Sequence, residues 1–293
     1  MTNRDVADAM PSLASVAALT VYPLKSAAGI RVPFLPLDAR GAVGDRRWVL
    51  VDHTGTMVTA RDTHRVVLIQ PKFLSEDWDA GLRLTAPNLP PLEVPLHAVN
   101  RDGPVTRVRV WDDDVSAHDA GDAAAAWCSE AAGRPCRLLR LADHDRRPLA
   151  PRFAGTIDVA SRVVAITDGA PLLLLGLASV DALNARLRER GHATLMDPRR
   201  FRANMLLAGT DPHEEDRWRD IQIGAVALSV GSACTRCVFT TVDPDTAARG
   251  PEPLRTFAEY RRTEAGVTFG MNTTHRHVGV IEVGDPVQVV SWR

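Results

Sequence analysis

The chain has 293 residues, 45% of them hydrophobic and 24% charged, a composition that can build a sizeable core and excludes disorder throughout. Lysine plus arginine total 35 against 36 acidic residues, so no excess positive field exists to hold a nucleic-acid backbone, and no nucleic-acid partner is expected. The length exceeds that of a typical single domain, and two packed units are expected.

Residues 1–12 carry Arg4, Asp5 and Asp8 and no sustained apolar run, so a secretory signal is not evident and a disordered N-terminus is expected. Short strands separated by turn residues follow at 19–22, 48–52, 66–69 and 106–111, rich in β-branched or aromatic residues. Between the second and third, His53-Thr54-Gly55-Thr56 is a hairpin signal, because glycine tolerates the positive φ of such turns. The Pro/Gly/Asp-rich stretch 86–104 reads as loop. An alanine-rich run from Asp119 predicts a helix that stops at Gly133. Asp143-His144-Asp145-Arg146-Arg147-Pro148 then breaks all apolar periodicity, marking the expected seam between a β-rich unit of residues 13–145 and a second unit of 146–293.

The most apolar stretch, 163–180, is broken by Asp168, Gly169 and Pro171, which suits core rather than a membrane span, and no membrane partner is expected. Ser179 is the predicted cap of a helix that ends at Gly191, with Val180, Leu183 and Leu187 on one face. Asp211-Pro212-His213-Glu214 is a second helix start, and a third helix is expected from Pro253, burying Leu254, Phe257 and Ala258. Strands are expected at 204–208, 225–230, 237–241 and 287–291. Four cysteines do not resemble the dense framework of secreted domains, and a reducing cytoplasm fits them.

Most chemical content lies in Ser232-Ala233-Cys234-Thr235-Arg236-Cys237-Val238 and the residues that follow, to Thr246. The Cys-x-x-Cys pair can be half of a tetrahedral zinc site, although no second pair exists. It can be a thioredoxin-like dithiol, although that motif sits where a strand enters a helix and here strand-like runs flank it. It can supply a thiolate to a soft metal, with Arg236 beside Cys237 favouring the charged form. Or both thiols are small buried hydrophobes. His275-x-His277 is a weaker metal candidate, and no phosphate-cradling glycine motif supports nucleotide binding.

Residues 232–246 resemble the signature of the MOSC domain family, and most closely its amidoxime-reducing branch and bacterial relatives. The resemblance extends in order through Val21-Tyr22-Pro23-Leu24-Lys25-Ser26, Met57-Val58-Thr59-Ala60-Arg61, Thr167-Asp168-Gly169-Ala170-Pro171, Phe201-Arg202-Ala203-Asn204 and Ile281-Glu282-Val283-Gly284-Asp285-Pro286-Val287, covering nearly the whole chain. It implies an α+β, predominantly β fold: a MOSC β-barrel core, a smaller N-terminal β-rich domain and a few peripheral helices. It implies a molybdenum–molybdopterin cofactor held between the two parts, with Cys237, and not Cys234, as the thiolate ligand of the metal. Pterin-phosphate contacts are implied at Lys25, Ser26, Arg61, Arg202, Asn204, Thr235 and Arg236, with Thr167 beside them, and Asp168 and Asn204 are implied to orient pterin or substrate. Pyridoxal phosphate binding is a family-level association only.

The activity implied is reduction of a small N-hydroxylated substrate, such as an amidoxime, hydroxylamine or N-hydroxylated base, to the amidine or amine by oxygen-atom transfer to molybdenum. Electrons would come from a separate protein, a flavin reductase, ferredoxin or cytochrome b5-like donor, because four cysteines without ferredoxin spacing cannot supply an iron–sulfur extension. Two alternatives follow from the same family: Cys237 as a persulfide carrier in sulfur transfer, and a carrier that hands on the cofactor. Ala203 stands where relatives usually have proline and Asn272 where mammalian relatives have tyrosine, departures that bear on substrate preference.

Overall fold

The computed structural model describes residues 14–78, 80–101, 103–160 and 162–293; the expected disordered segment 1–12 lies outside them. Strands are the main regular structure and outnumber the helices. One large sheet runs in the spatial order Ile30–Val32, Ser15–Val21, Met205–Ala208, Leu172–Gly176, Gly266–His275, Val226–Thr235, Trp218–Ile223 and Val287–Trp292. The far end of the sheet comes back to Ser15–Val21: Val16 N donates to Asp285 O (2.9 Å), Gly284 N to Val16 O (2.8 Å) and Val287 N to Ala14 O (2.9 Å). The sheet therefore curls round toward a barrel, with Ile30–Val32 as an edge strand outside the join.

All pairings along the large sheet are antiparallel except Leu172–Gly176 with Met205–Ala208. That parallel pair needs a crossover, and helix α3 (Leu177–Glu189) provides it. Smaller helices are α1 (Asp122–Ala132), α2 (Pro151–Ala154) and α4 (Leu254–Tyr260). Leucines at 172–175 are buried without alternation because both faces of this strand are covered. Leu172 and Leu174 point into the barrel with Met205, Leu207 and Trp218; Leu173 and Leu175 pack outward with Leu183, Leu187, Phe201, Phe257 and Phe269. Each fully buried phenylalanine in that outer layer contributes about 1.5–3 kcal/mol relative to exposure.

Residues 48–141 build the other β unit: a five-stranded sheet in the order Thr106–Val110, Asp113–Asp119, Arg137–Leu141, Trp48–Val51 and Met57–Val58, with the three-stranded sheet Gln70–Phe73, Gly81–Thr85 and Leu92–Pro95. Strand pairing crosses the position of the expected seam. The strands at 15–32 belong to the barrel, and Phe34–Asp38 pairs with Gly279–Glu282.

Several expectations are realised locally. Gly55 (φ 80°) turns the hairpin between Trp48–Val51 and Met57–Val58, with Asp52 Oδ1 accepting from Thr54 N and Thr56 N. Helix α1 stops at Gly133 in the left-handed region (φ 75°).

Others are corrected. Val66 and Val67 are buried in the single 3-10 turn His64–Leu68, not a strand; a short apolar run fits any fully buried segment. The expected strand 237–241 is the 3-10 turn Val238–Thr241 after an extended Cys237. There Thr240 Oγ1 donates to Cys237 O (3.0 Å) and Thr241 Oγ1 to Val238 O (2.8 Å), tying β-branched residues into a helical turn. The expected loop 86–104 contains the paired strand Leu92–Pro95. Ser179 lies inside α3 rather than at its cap, its hydroxyl bonded to the buried Glu215 carboxylate (2.8 Å), and the helix expected from Asp211 is the one turn Glu214–Arg217.

Candidate functional site

Five segments far apart in sequence converge where the barrel meets the second β unit. They are the turn after Ser15–Val21, the loop before Trp48–Val51, the loop after Met57–Val58, the approach to Leu172–Gly176, and the approach to Met205–Ala208. The end of the long strand Val226–Thr235 delivers the cysteines. Its register against Gly266–His275 shifts twice, between Val230 and Ala233 and between Ala233 and Thr235, opposite Gly270 with φ 72°. Such bulges bend a strand and re-aim its side chains.

Lys25 is buried, and its Nζ donates to Ile166 O (3.0 Å) and Asp168 Oδ1 (2.7 Å). Burial lowers its pKa to about 8, Asp168 opposing the shift. The other oxygen of Asp168 accepts from Arg61 Nη2 (2.8 Å). Although its surroundings disfavour charge, the Asp168 carboxyl is held well below the usual range by Lys25 and Arg61.

A second cation group adjoins the first. The Arg46 and Arg202 guanidiniums lie 4.6 Å and 4.1 Å from the centroid of the same Tyr22 ring. Arg46 is ion-paired to the buried Asp45 (2.5 Å) and donates to Asn204 Oδ1 (3.1 Å) and Arg202 O (3.2 Å). Burial and the neighbouring Arg46 lower the pKa of Arg202 to about 10, so it stays a cation at neutral pH. Its Nη1 reaches Ala27 O (2.5 Å), while its Nη2 is buried with no hydrogen-bond partner in the protein. A buried, unpartnered guanidinium nitrogen beside a second arginine is an anion-binding arrangement.

Charge balance points the same way. Lys25, Arg46, Arg61 and Arg202 are four cations against the two carboxylates Asp45 and Asp168, an excess of two. A phosphate monoester carries roughly that charge with opposite sign near neutral pH.

The two cysteines differ. Cys237 is half-buried and lies close enough to the Arg61 guanidinium to interact with it; burial disfavours the charge of Arg61, yet Asp168 and Cys237 together raise its pKa. Arg61 also stacks 4.7 Å from the exposed Trp111 ring. Cys234 packs against the outer layer of Leu173 and Phe201, and burial pushes its thiol up against the opposing pull of Arg236. Arg236, expected from its sequence position to serve Cys237, donates instead to Phe269 O (2.7 Å) and Phe201 O (2.9 Å). Its Nη2 is buried without a partner.

The remaining candidates fall into place around this core. Ser26 lines the turn in a left-handed conformation (φ 70°), rare for a non-glycine residue. Thr235 is exposed at the strand end. Thr167 is buried, with its hydroxyl on Gly169 O (3.2 Å). Asn204 is 1% exposed and fully bonded: its oxygen accepts from Arg46 and Leu173 N, its nitrogen donates to Thr20 O and Asp45. It therefore positions Arg46 and has no free group for a substrate. Tyr22, Asp45 and Arg46 are site residues that sequence reasoning missed; the available signal was the density of charge in Asp45-Arg46-Arg47 after a turn. His275 is buried in its strand, and no cluster of metal-ligating side chains is present among the described residues.

Comparison with known proteins identifies the family. Residues 13–135 match the model of the MOSC N-terminal beta barrel domain and residues 161–288 that of the MOSC domain. The chain is 34% identical to mitochondrial amidoxime-reducing component 1 of Mus musculus, over 96% of this chain and 84% of that protein. The chain belongs to the MOSC family. Its match to the same component from Homo sapiens is 33% over the same shares. A second MOSC relative, molybdenum cofactor sulfurase of Homo sapiens, is 29% identical over 88% of this chain and 29% of that longer protein. The MOSC fold expected from the motifs, predominantly β with peripheral helices, is the fold observed.

The donor set fits a molybdopterin. One half-buried thiol stands beside Arg61, and four cations, one of them Arg202 with an unpartnered guanidinium nitrogen, stand ready for the phosphate end.

Proposed function

We propose that this MOSC protein is a molybdenum-cofactor-dependent oxidoreductase that reduces small N-hydroxylated substrates to amidines or amines. The observation that carries the reading is the Cys237 thiol set against Arg61 at the edge of a cluster with two excess positive charges. Bound cofactor would supply the two-electron oxygen-acceptor chemistry. Overall, an amidoxime takes two electrons and two protons and gives the amidine and water.

The chain's own residues would do the rest. Lys25, Arg46 and Arg202 hold the phosphate, with Arg46 fixed by Asp45 and Asn204. Ser26 and Thr235 add hydroxyls, and Cys237 ligates the metal. Arg61 places a positive charge beside that ligand. Asp168, exposed between Lys25 and Arg61, is assigned to orient substrate or pterin. A separate protein donates electrons, and the proposed setting is the cytoplasm, consistent with four free cysteines. No helix among the described residues is long and apolar enough to cross a membrane.

Purification from a host that makes molybdenum cofactor tests the reading. Near-equal molybdenum and pterin per chain, lost or altered in Cys237→Ala, together with amidoxime reduction by the loaded protein, is the expected result; folded protein with neither species above trace would overturn it. The similarity to molybdenum cofactor sulfurase keeps a second reading, in which Cys237 carries a persulfide. Mass spectrometry showing Cys237 with one added sulfur and no bound metal would select it.

A further inference from the structure

Two site residues stand on two separate 3-10 turns. The turn Pro198–Phe201 ends at Arg202, whose backbone is left-handed (φ 55°), and the turn Val238–Thr241 begins after Cys237. A single 3-10 turn has few hydrogen bonds of its own, and their alignment is poor. Contacts from outside the turns therefore set where Arg202 and Cys237 stand.

Three arginines supply such contacts, and each ties the segment of one turn to the segment of the other. Arg236, just before Cys237, donates from Nη1 to the carbonyl of Phe201, just before Arg202 (2.9 Å). Arg200 Nη2 donates to Asp243 Oδ2 (2.6 Å), and Arg199 grips both oxygens of Asp245 (2.8 and 2.6 Å). Phe239, inside the second turn, also lies 5.2 Å from the Arg202 guanidinium.

The ion pairs are unequal. The Arg199 and Asp245 side chains are 49% and 62% exposed, where an ion pair is weak and screened. Arg200 is 7% exposed, and Asp243 is the only group that its guanidinium bonds among the described residues. Asp243 divides its carboxylate between two tasks. One oxygen takes Arg200; the other accepts from Asp245 N, Thr246 N and Thr246 Oγ1 (3.0 Å each). One side chain thus shapes the loop after Cys237 and fastens it to the segment before Arg202. Without it, Arg200 would be a buried cation lacking its counter-charge.

We propose that Asp243 is a positioning residue: through Arg200, with Arg236 as the second tie, it holds the two turns as one unit and sets the span between the Cys237 thiol and the Arg202 guanidinium. A cofactor gripped at its metal end and its phosphate end at once is retained only while that span is kept. The cofactor part rests on the function proposed above; the union of the two turns does not.

Hydrogen exchange and cofactor content test the two parts separately. In protein from a host lacking the cofactor, Asp243→Asn should speed amide exchange at least about tenfold in both 199–204 and 236–242, the equivalent of one charge-assisted hydrogen bond, and leave the strand Gly266–His275 as in wild type. Faster exchange around residue 243 alone, with 199–204 unchanged, overturns the proposal. From a cofactor-producing host the variant should hold about tenfold less molybdenum and pterin, and the metal it keeps should give an altered Mo(V) electron paramagnetic resonance signal. Cofactor content and signal equal to wild type overturn the proposal, as does an equal loss in Arg199→Gln, which breaks only the exposed pair. Should Asp243→Asn fail to fold, Arg200→Met/Asp243→Asn, which leaves no unpaired buried charge, carries the same test. Wild-type protein without cofactor sinks the proposed function; the exchange experiment still decides whether Asp243 joins the turns.

Discussion

The Lys25 ammonium and the Asp168 carboxylate meet at 2.7 Å, one side chain 7% exposed and the other 58%. The cation is fixed by the fold while its counter-ion stands at the surface. A phosphate entering the site would find Lys25 already desolvated, so part of the cost of burying that charge is borne by folding rather than by binding.

Anion binding should follow Lys25. Burial, opposed by Asp168, sets its pKa at about 8, so it is charged below that pH and neutral above. Pyrophosphate affinity should fall as pH rises through about 8, and Lys25→Met should remove that step from a titration between acidic and alkaline buffers. The same shift has a stability sign. A base whose folded-state pKa is lowered opposes folding while the native state must hold its proton, so Lys25's contribution improves as pH rises from about 8 toward its ordinary value. An unchanged pH step in Lys25→Met would assign the titration to another group.

Asp45→Ala should destabilise the protein by about 3 kcal/mol, because it leaves the Arg46 guanidinium buried without its carboxylate. Asp45 also accepts from Tyr22 N (2.8 Å) and Asn204 Nδ2 (3.1 Å), so two more donors lose their partner. Chemical denaturation measures this; a loss below the effect of an ordinary surface substitution would mean that water replaces the carboxylate freely.

The cysteines should separate cleanly. Cys237→Ala should abolish stoichiometric molybdenum in protein purified from a cofactor-producing host, and Cys234→Ala should retain it, because Cys237 lies beside Arg61 at the cation cluster while Cys234 packs into the outer apolar layer. Metal analysis per chain decides it, and loss in Cys234→Ala alone would reverse the ligand assignment.

Gly270→Ala should cost about 1–3 kcal/mol through its left-handed backbone. The added Cβ would also stand 2.9 Å from Leu174 O and 3.3 Å from Arg236 Nη2. Because Gly270 lies opposite the bulged strand that delivers Cys237, the variant should also lower metal content. A variant as stable as wild type would show that the bulge relaxes around the methyl group.

Local signals were legible where one residue dictates geometry. Gly55 and Gly133 adopt the positive φ that their sequence contexts demand, and Leu183 and Leu187 fall on the buried face of α3. Val66-Val67 and Val238-Phe239 were misread as strands because short apolar segments bury equally well in a 3-10 turn, and the hydroxyl bonds of Thr240 and Thr241 that stabilise the latter are visible only once the turn exists.

By itself, the sequence determined the MOSC motifs, the predominantly β composition and the candidate thiolate at Cys237, because these depend on residue type and order along the chain. Tertiary structure alone decided which charges act together. Arg236 adjoins Cys237 in sequence and turns to backbone carbonyls, whereas Arg61, far away along the chain, lies close to the thiol; Arg46 and Arg202 share one aromatic ring, and the Asn204 amide oxygen holds Arg46. Electrostatic interaction falls with distance in space and with burial, and neither quantity is written in sequence separation.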